Sequence, residues 1–157
     1  MRPAGSAKRA RNASYGVTLI ELIIVMIIVG VLAAVAIPSY RNYVIRSNRA
    51  DAKDALLALA TAQEKHYLQC NSYATDIANA TDCAAGDVQS TANSKNGWYA
   101  LAVAAPNPAT GFTATATAIA GQNQFQDTAC RSFTVSNFGV RTAADDGGGD
   151  NTAECWR

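Results

Sequence analysis

One carboxylate stands where carboxylates are costly. Glu21 is the single charged residue in the run VTLIELIIVMIIVGVLAAVAI, residues 17–37. A charge inside a lipid span costs on the order of 3 kcal/mol and marks a functional position, so Glu21 calls for a cation. No Lys or Arg lies in the run. Cutting the chain between Gly16 and Val17 would supply one, a new α-amine four residues before Glu21. That separation allows contact along one helix. In a staggered array it also lets the amine of one copy meet Glu21 of the next.

The other reactive side chains point to structure rather than catalysis. Cys70, Cys83, Cys130 and Cys155 all follow the apolar run, and none forms a C-x-x-C pair of the zinc or redox kind. An even number in a small exported domain implies disulfides, with three pairings open to four cysteines. Cys70–Cys83 and Cys130–Cys155 are favoured because each closes a polar, Gly-, Asn- or Asp-rich loop with little apolar material to hold it. Each bridge would contribute roughly 3 kcal/mol by the loop-entropy model and places the cysteines in an oxidising compartment. His66 is the one histidine, with Glu64 and Lys65 beside it, and reads as a helix-surface residue. No nucleophile elbow or phosphate loop is present. Trp98 and Trp156 read as packing residues. Asp145, Asp146, Asp150 and Glu154 lack the spacing of a calcium loop and read as a solvated turn. No catalytic residue, metal or cofactor is expected.

These groups must be positioned by two physically different regions. Across 157 residues the composition is 49% apolar and 16% charged, but the apolar residues concentrate near the N-terminus and the remainder is rich in Ala, Thr, Asn, Ser and Gly. Residues 1–16 carry Arg2, Lys8, Arg9 and Arg11 with no acid; without them nine basic residues face twelve acidic ones, near −3. A mildly acidic body has no general attraction for phosphate backbones. The twenty-one residues of the run give roughly 31 Å of helix, enough to cross a bilayer, with the basic leader on the cytoplasmic side. The alternative, a secretory signal cut after Ala34-Val35-Ala36, is disfavoured by Glu21 within its apolar core and by Pro38 just past the cut.

Beyond Pro38, Ile45, Ala52, Leu56, Leu59, Ala60, Gln63 and Tyr67 recur in steps of three and four, while Arg49, Lys53, Asp54 and Glu64 take other positions. One helix from Val17 to near Tyr67 is predicted, amphipathic in its second half. Pro38 removes a helical hydrogen bond and should bend it, with Gly30 a second weak point. Arg41, Arg46, Arg49 and Lys53, with Tyr40 and Tyr43, read as membrane-interface residues. Residues 70–97 read as an irregular connecting loop. Residues 98–105, 112–120 and 132–140 read as strands, the middle one alternating Thr113, Thr115 and Thr117 with Ala114, Ala116 and Ala118. Residues 107–111 look like a hairpin loop. The expected class is α+β: a long kinked N-terminal helix packed on a small antiparallel sheet of three or four strands. The segments are a leader (1–16), a transmembrane helix (17–38), its amphipathic continuation (39–69) and a globular head (70–157).

The run Gly16-Val17-Thr18-Leu19-Ile20-Glu21-Leu22, after a basic leader and before an apolar helix, resembles the class III signal of type IV pilins and pseudopilins. The resemblance implies cleavage after Gly16 by a prepilin peptidase, N-methylation of Val17, where the family usually has Phe, and assembly through Glu21. It also implies local loss of helicity between Gly30 and Pro38 in a filament. The stretch from Asp127 to Trp156 resembles the C-terminal region of PilE-class minor pilins, with a loop closed by Cys155-Trp156. It sets the chain apart from a major type II secretion pseudopilin, which usually lacks this disulfide. The implied partners are other pilin subunits, the peptidase and methyltransferase, an inner-membrane assembly platform, and lipid before assembly. The implied course runs from the inner membrane of a Gram-negative cell, with the head in the periplasm, to an extracellular filament serving biogenesis, twitching motility, adhesion or DNA uptake. The alternatives are a secretion pseudopilin and a DNA-binding competence pilin. The latter should gather Lys95, Arg131, Arg141 and Arg157 into one patch.

Overall fold

The computed structural model describes residues 16–78, 83 and 87–157. The chain divides after Ser39 into two units.

Helix α1 runs from Leu19 to Cys70, 52 residues, with Pro38 inside it. The Thr18 hydroxyl accepts the Glu21 backbone N–H at 3.3 Å, the first half of a capping box. Glu21 lies in the first turn, where unpaired N–H groups and the helix dipole favour an anion. In the first unit the large apolar side chains from Val17 to Ile37 are all exposed. In the second unit the helix buries one face, Ile45, Ala52, Leu56, Leu59, Gln63 and His66, together with Arg49 and Asp51. It stops at Asn71, whose φ of 55° takes the left-handed conformation while its N–H bonds the Tyr67 carbonyl at 2.8 Å. That is a single-bond C-terminal cap.

The predicted start at Val17 and end near Tyr67 thus become Leu19 and Cys70. The sheet contains four antiparallel strands. They are numbered in chain order after two short ones: β3 (Tyr99–Ala104), β4 (Thr113–Ala118), β5 (Ser132–Ser136) and β6 (Arg141–Ala144), in spatial order β3-β4-β5-β6. The Ala face of β4 is buried, with Ala114 and Ala116 at 0% exposure, and Thr113 and Thr117 point out. Small side chains let the sheet approach helix α1 closely, around Tyr99, Phe133, Leu56 and Leu59. A 3-10 turn, Asn123–Gln126, joins β4 to the β5 region.

Three readings of the head require correction. Residues 132–140 are not one strand, because the chain reverses after Ser136. Gly139 sits at φ 73°, donates its N–H to the Ser136 carbonyl, and lets the Ser136 N–H reach the Val140 carbonyl. The turn converts one expected strand into the β5–β6 hairpin. Nor is the segment after Cys70 wholly irregular. β1 (Asp76–Ala78) and β2 (Asp87–Gln89) form a parallel ladder pairing Ile77 with Val88. Each is three residues long with one inward apolar side chain, too short for periodicity to reveal. His66 is not on the helix surface. It is 4% exposed, with Nδ1 2.8 Å from the Ser72 carbonyl, where Nδ1–H donates to the carbonyl oxygen.

Candidate functional site

At the N-terminus, Gly16, Val17 and Glu21 are all exposed, and Glu21 has no ion pair among the described residues. The helix runs on through Gly30 and Pro38, although Pro38 has no N–H to donate to the Ala34 carbonyl. A methyl added at Gly30 would meet open space, so the glycine serves no close approach within this chain. Leu19 to Ile37 therefore presents an apolar stretch of helix with one carboxylate in its first turn. It belongs to the one helix, among the described residues, long and apolar enough to cross a membrane.

In the head, four cysteines form two bridges, Cys70–Cys83 and Cys130–Cys155. Cys130–Cys155 ties the start of β5 to helix α2 (Thr152–Cys155). The connecting loop lies along the free edge of β6: Asp150 bridges Ala144, and the Asn151 N–H donates to the Ala143 carbonyl at 2.9 Å. An edge strand left bare would invite pairing with another chain.

Arg49 belongs inside the head and not at the membrane interface. It is 7% exposed and grips Asp127, itself 4% exposed, with Nε–H and Nη2–H donating at 2.7 and 2.9 Å. Asp127 also accepts the Gln124 amide at 3.1 Å and the Cys130 backbone N–H at 3.2 Å, and Gln124 reaches the Ile45 carbonyl at 3.1 Å. The fork cross-links helix, 3-10 turn and disulfide. Neighbouring Tyr99 has its hydroxyl pushed well above the ordinary range, by burial first and then by the Asp127 carboxylate.

The cations expected to gather do so only in part. Arg131 stacks its guanidinium 3.7 Å from the Phe125 ring. It lies at the opposite end of the β5–β6 ladder from Arg141, which pairs with Val135. Lys95 lines a separate groove of about 570 Å³ with Asp51, Asp54 and Asn96. Arg141 does meet a second cation, Lys53 from the helix, at the Trp156 ring. Lys53 Nζ lies 5.8 Å and Arg141 Cζ 5.3 Å from the centroid of the Trp156 ring, and Lys53 donates to the Arg157 carbonyl at 2.8 Å. Burial first, and then the nearby Arg49 charge, lowers the Lys53 ammonium from its usual range. Trp156 is held by its Nε1–H on the Thr142 carbonyl at 2.9 Å and by edge contact with Phe133 at 5.7 Å.

The acidic loop is occupied by its own backbone. Asp145 accepts the N–H groups of Gly147 and Gly149 at 2.9 and 2.8 Å. Asp150 accepts the Thr152 N–H at 3.0 Å and its hydroxyl at 2.6 Å, which holds its carboxyl below the ordinary range. No cluster of three ligating side chains occurs among the described residues.

Sequence reasoning missed the Arg49–Asp127 fork, whose partners lie 78 residues apart, and the part of Lys53 at Trp156. The Thr18 cap had a signal, Thr-x-x-Glu ahead of an apolar run.

Comparison with known proteins bears on both regions. A family model described as type IV minor pilin ComP, DNA uptake sequence receptor, matches residues 38–134. A prokaryotic N-terminal methylation motif matches residues 11–37. The type IV major pilin protein PilA of Myxococcus xanthus is 47% identical over 64 residues, 41% of this chain and 29% of that protein. A fimbrial protein of Neisseria meningitidis is 37% identical over 97 residues, 59% of this chain and 56% of that one. A fimbrial protein of Pseudomonas aeruginosa is 47% identical over 58 residues, 37% of this chain and 38% of that one. The chain thus spans less than two thirds of each of these relatives. A solved type IV pilin from Shewanella oneidensis shares 25% identity, with a TM-score of 0.45 over 62% of this chain and 89% of that one. Leader motif, continuous apolar helix and disulfide-closed head occur together in a family of filament subunits, not of enzymes, and the chain belongs to it, as a type IV pilin of the ComP minor-pilin family.

Proposed function

We propose that this chain is a filament subunit of a type IV pilus. It is held in the inner membrane by residues 17–37, trimmed after Gly16 by a prepilin peptidase and methylated on Val17. An assembly platform then packs it with other pilins into an extracellular fibre. The observation that carries the reading is the exposed apolar first half of helix α1, whose single carboxylate sits in a capped first turn, four residues after Val17. In lipid, helices associate through packing and through polar groups that find partners across helices. An amine on one subunit and Glu21 on its neighbour would pair as they leave the bilayer. Intact mass and N-terminal sequencing of protein from its native membrane should give N-methyl-Val17; a start at Ile37 would refute the reading. Glu21→Ala should leave the precursor in the membrane but out of filaments, and normal incorporation of that variant would dispose of the proposed pairing.

A second, compatible reading is supported by the convergence of Lys53 and Arg141 at Trp156 and by the family's description as a DNA uptake receptor. The head would receive DNA at the filament surface. Fluorescence anisotropy of the full chain with a labelled duplex tests it. Binding at 50 mM salt that weakens steeply by 200 mM is expected, and no binding at 50 mM would exclude it.

A further inference from the structure

We infer that Lys53 and Arg141 form a two-cation clamp for the phosphodiester backbone of a bound polynucleotide, and that Trp156 is its positioning residue and not a surface on which bases stack. The inference rests on the DNA reading above and names the part of the head that would carry its sequence-independent share.

The two cations come from elements far apart in the chain, the helix and the first residue of β6. Their distances to one ring centroid bound them to within about 11 Å of each other. Like charges repel, by about 0.4 kcal/mol at about 11 Å in bulk water and more at shorter range or lower dielectric, so an attraction must offset this. The negative face of an indole attracts ammonium and guanidinium groups, and the Arg157 carbonyl adds a direct acceptor for Lys53. The indole is itself immobilised by Thr142, by Phe133 and by the adjacent Cys155 bridge.

Neither Lys53 nor Arg141 pairs with an acidic side chain among the described residues. Both ion pairs among the described residues belong to Arg49, with Asp127 and, at 4.0 Å, Glu154. Arg141 is exposed, and its guanidinium, with five donors in a planar fork, makes no hydrogen bond among the described residues beyond its seat at the ring. With phosphates spaced about 3.4 Å of axis apart along a strand, two cations within about 11 Å of each other can engage nearby phosphates of one strand. Trp156 offers little to a base, since its N–H is committed to Thr142 and its ring to two cations. Arg141, Trp156 and Arg157 also lie beyond residues 38–134, the stretch that matches the family model.

The test is the salt dependence of duplex binding by the full chain in lipid nanodiscs, between 50 and 200 mM salt, for Arg141→Gln, Lys53→Gln, the double variant, Trp156→Leu and Trp156→Phe. Each lost phosphate contact should reduce the slope of log K against log salt by about 0.9. The fall in affinity across that range should then shrink by about 3.5-fold per contact, equally for all duplex sequences. Trp156→Leu should match the double variant, and Trp156→Phe, which keeps a ring, should stay near wild type. The glutamines are exposed or half-exposed changes, so they report even if Trp156→Leu unfolds. An unchanged slope in the double variant while the duplex still binds overturns the clamp and leaves the DNA reading intact. Failure of the unsubstituted chain to bind any duplex overturns both. Loss of binding to phosphatidylglycerol vesicles without loss of duplex binding would assign the surface to lipid and also overturn the clamp.

Discussion

The Arg49–Asp127 fork permits a sharp test, because its two ends are satisfied unequally. Arg49→Met removes two hydrogen bonds and leaves a buried carboxylate still accepting from Gln124 and the Cys130 N–H. Breaking a buried pair from one side costs about 3–5 kcal/mol, and the remaining donors place this variant near 3. Asp127→Leu strands a buried guanidinium and also orphans the Cys130 N–H, so about 4–5 kcal/mol is expected. Replacing both removes both charges and leaves the Cys130 N–H as the chief loss, about 1–3 kcal/mol. A 3 kcal/mol loss should lower the head's melting temperature by roughly 12–16 °C. Urea titration followed by near-UV circular dichroism of Trp98 and Trp156 reports on the head alone, as both indoles lie there. A double variant as damaged as the sum of the singles, or an Arg49→Met variant within 1 kcal/mol of wild type, would refute the view that these charges are mutually dependent.

Two further outcomes follow from the same geometry. Cys130→Ser with Cys155→Ser opens a loop with a separation of 25 residues, worth about 3.5 kcal/mol by loop entropy. It should also increase hydrogen exchange at the Asn151 amide before that at β4, and simultaneous exposure of both would contradict the edge-cover assignment. Lys53 has a lowered folded pKa, so the unfolded chain binds its proton more tightly and stability should rise with pH as it climbs from the folded toward the ordinary lysine range. Lys53→Met should therefore raise or preserve the melting temperature while weakening polyanion binding; a clear fall in melting temperature would mean that the ammonium stabilises the head.

The helix, its apolar first half and the alternation of β4 were legible because each repeats a pattern over many residues. Both cysteine pairings followed from loops too polar to hold themselves. Hidden instead were features fixed by meetings across the fold. Arg49 looks like one more cation after a membrane span until Asp127, carried on the 3-10 turn, arrives beside it. His66 looks exposed until the chain doubles back at Asn71 and presents the Ser72 carbonyl. The β5–β6 turn had a signal in Asn137-Phe138-Gly139, outweighed by the apolar Phe138 and Val140, which turn out 83% and 57% exposed. Arg131 and Arg141 could not be separated from sequence, because their distance depends on hairpin register.

The alanine face of β4 also bears on how such a head can diversify. With Ala114 and Ala116 wholly enclosed, one added methylene on that side would force helix and sheet apart and disturb both layers. Thr113 and Thr117, one step away on the same strand, look outward and can change with little effect on stability. Lineages could therefore rewrite the outer coat of the strand residue by residue while the inner coat stays almost frozen, so that the head's external identity drifts without disturbing its interior.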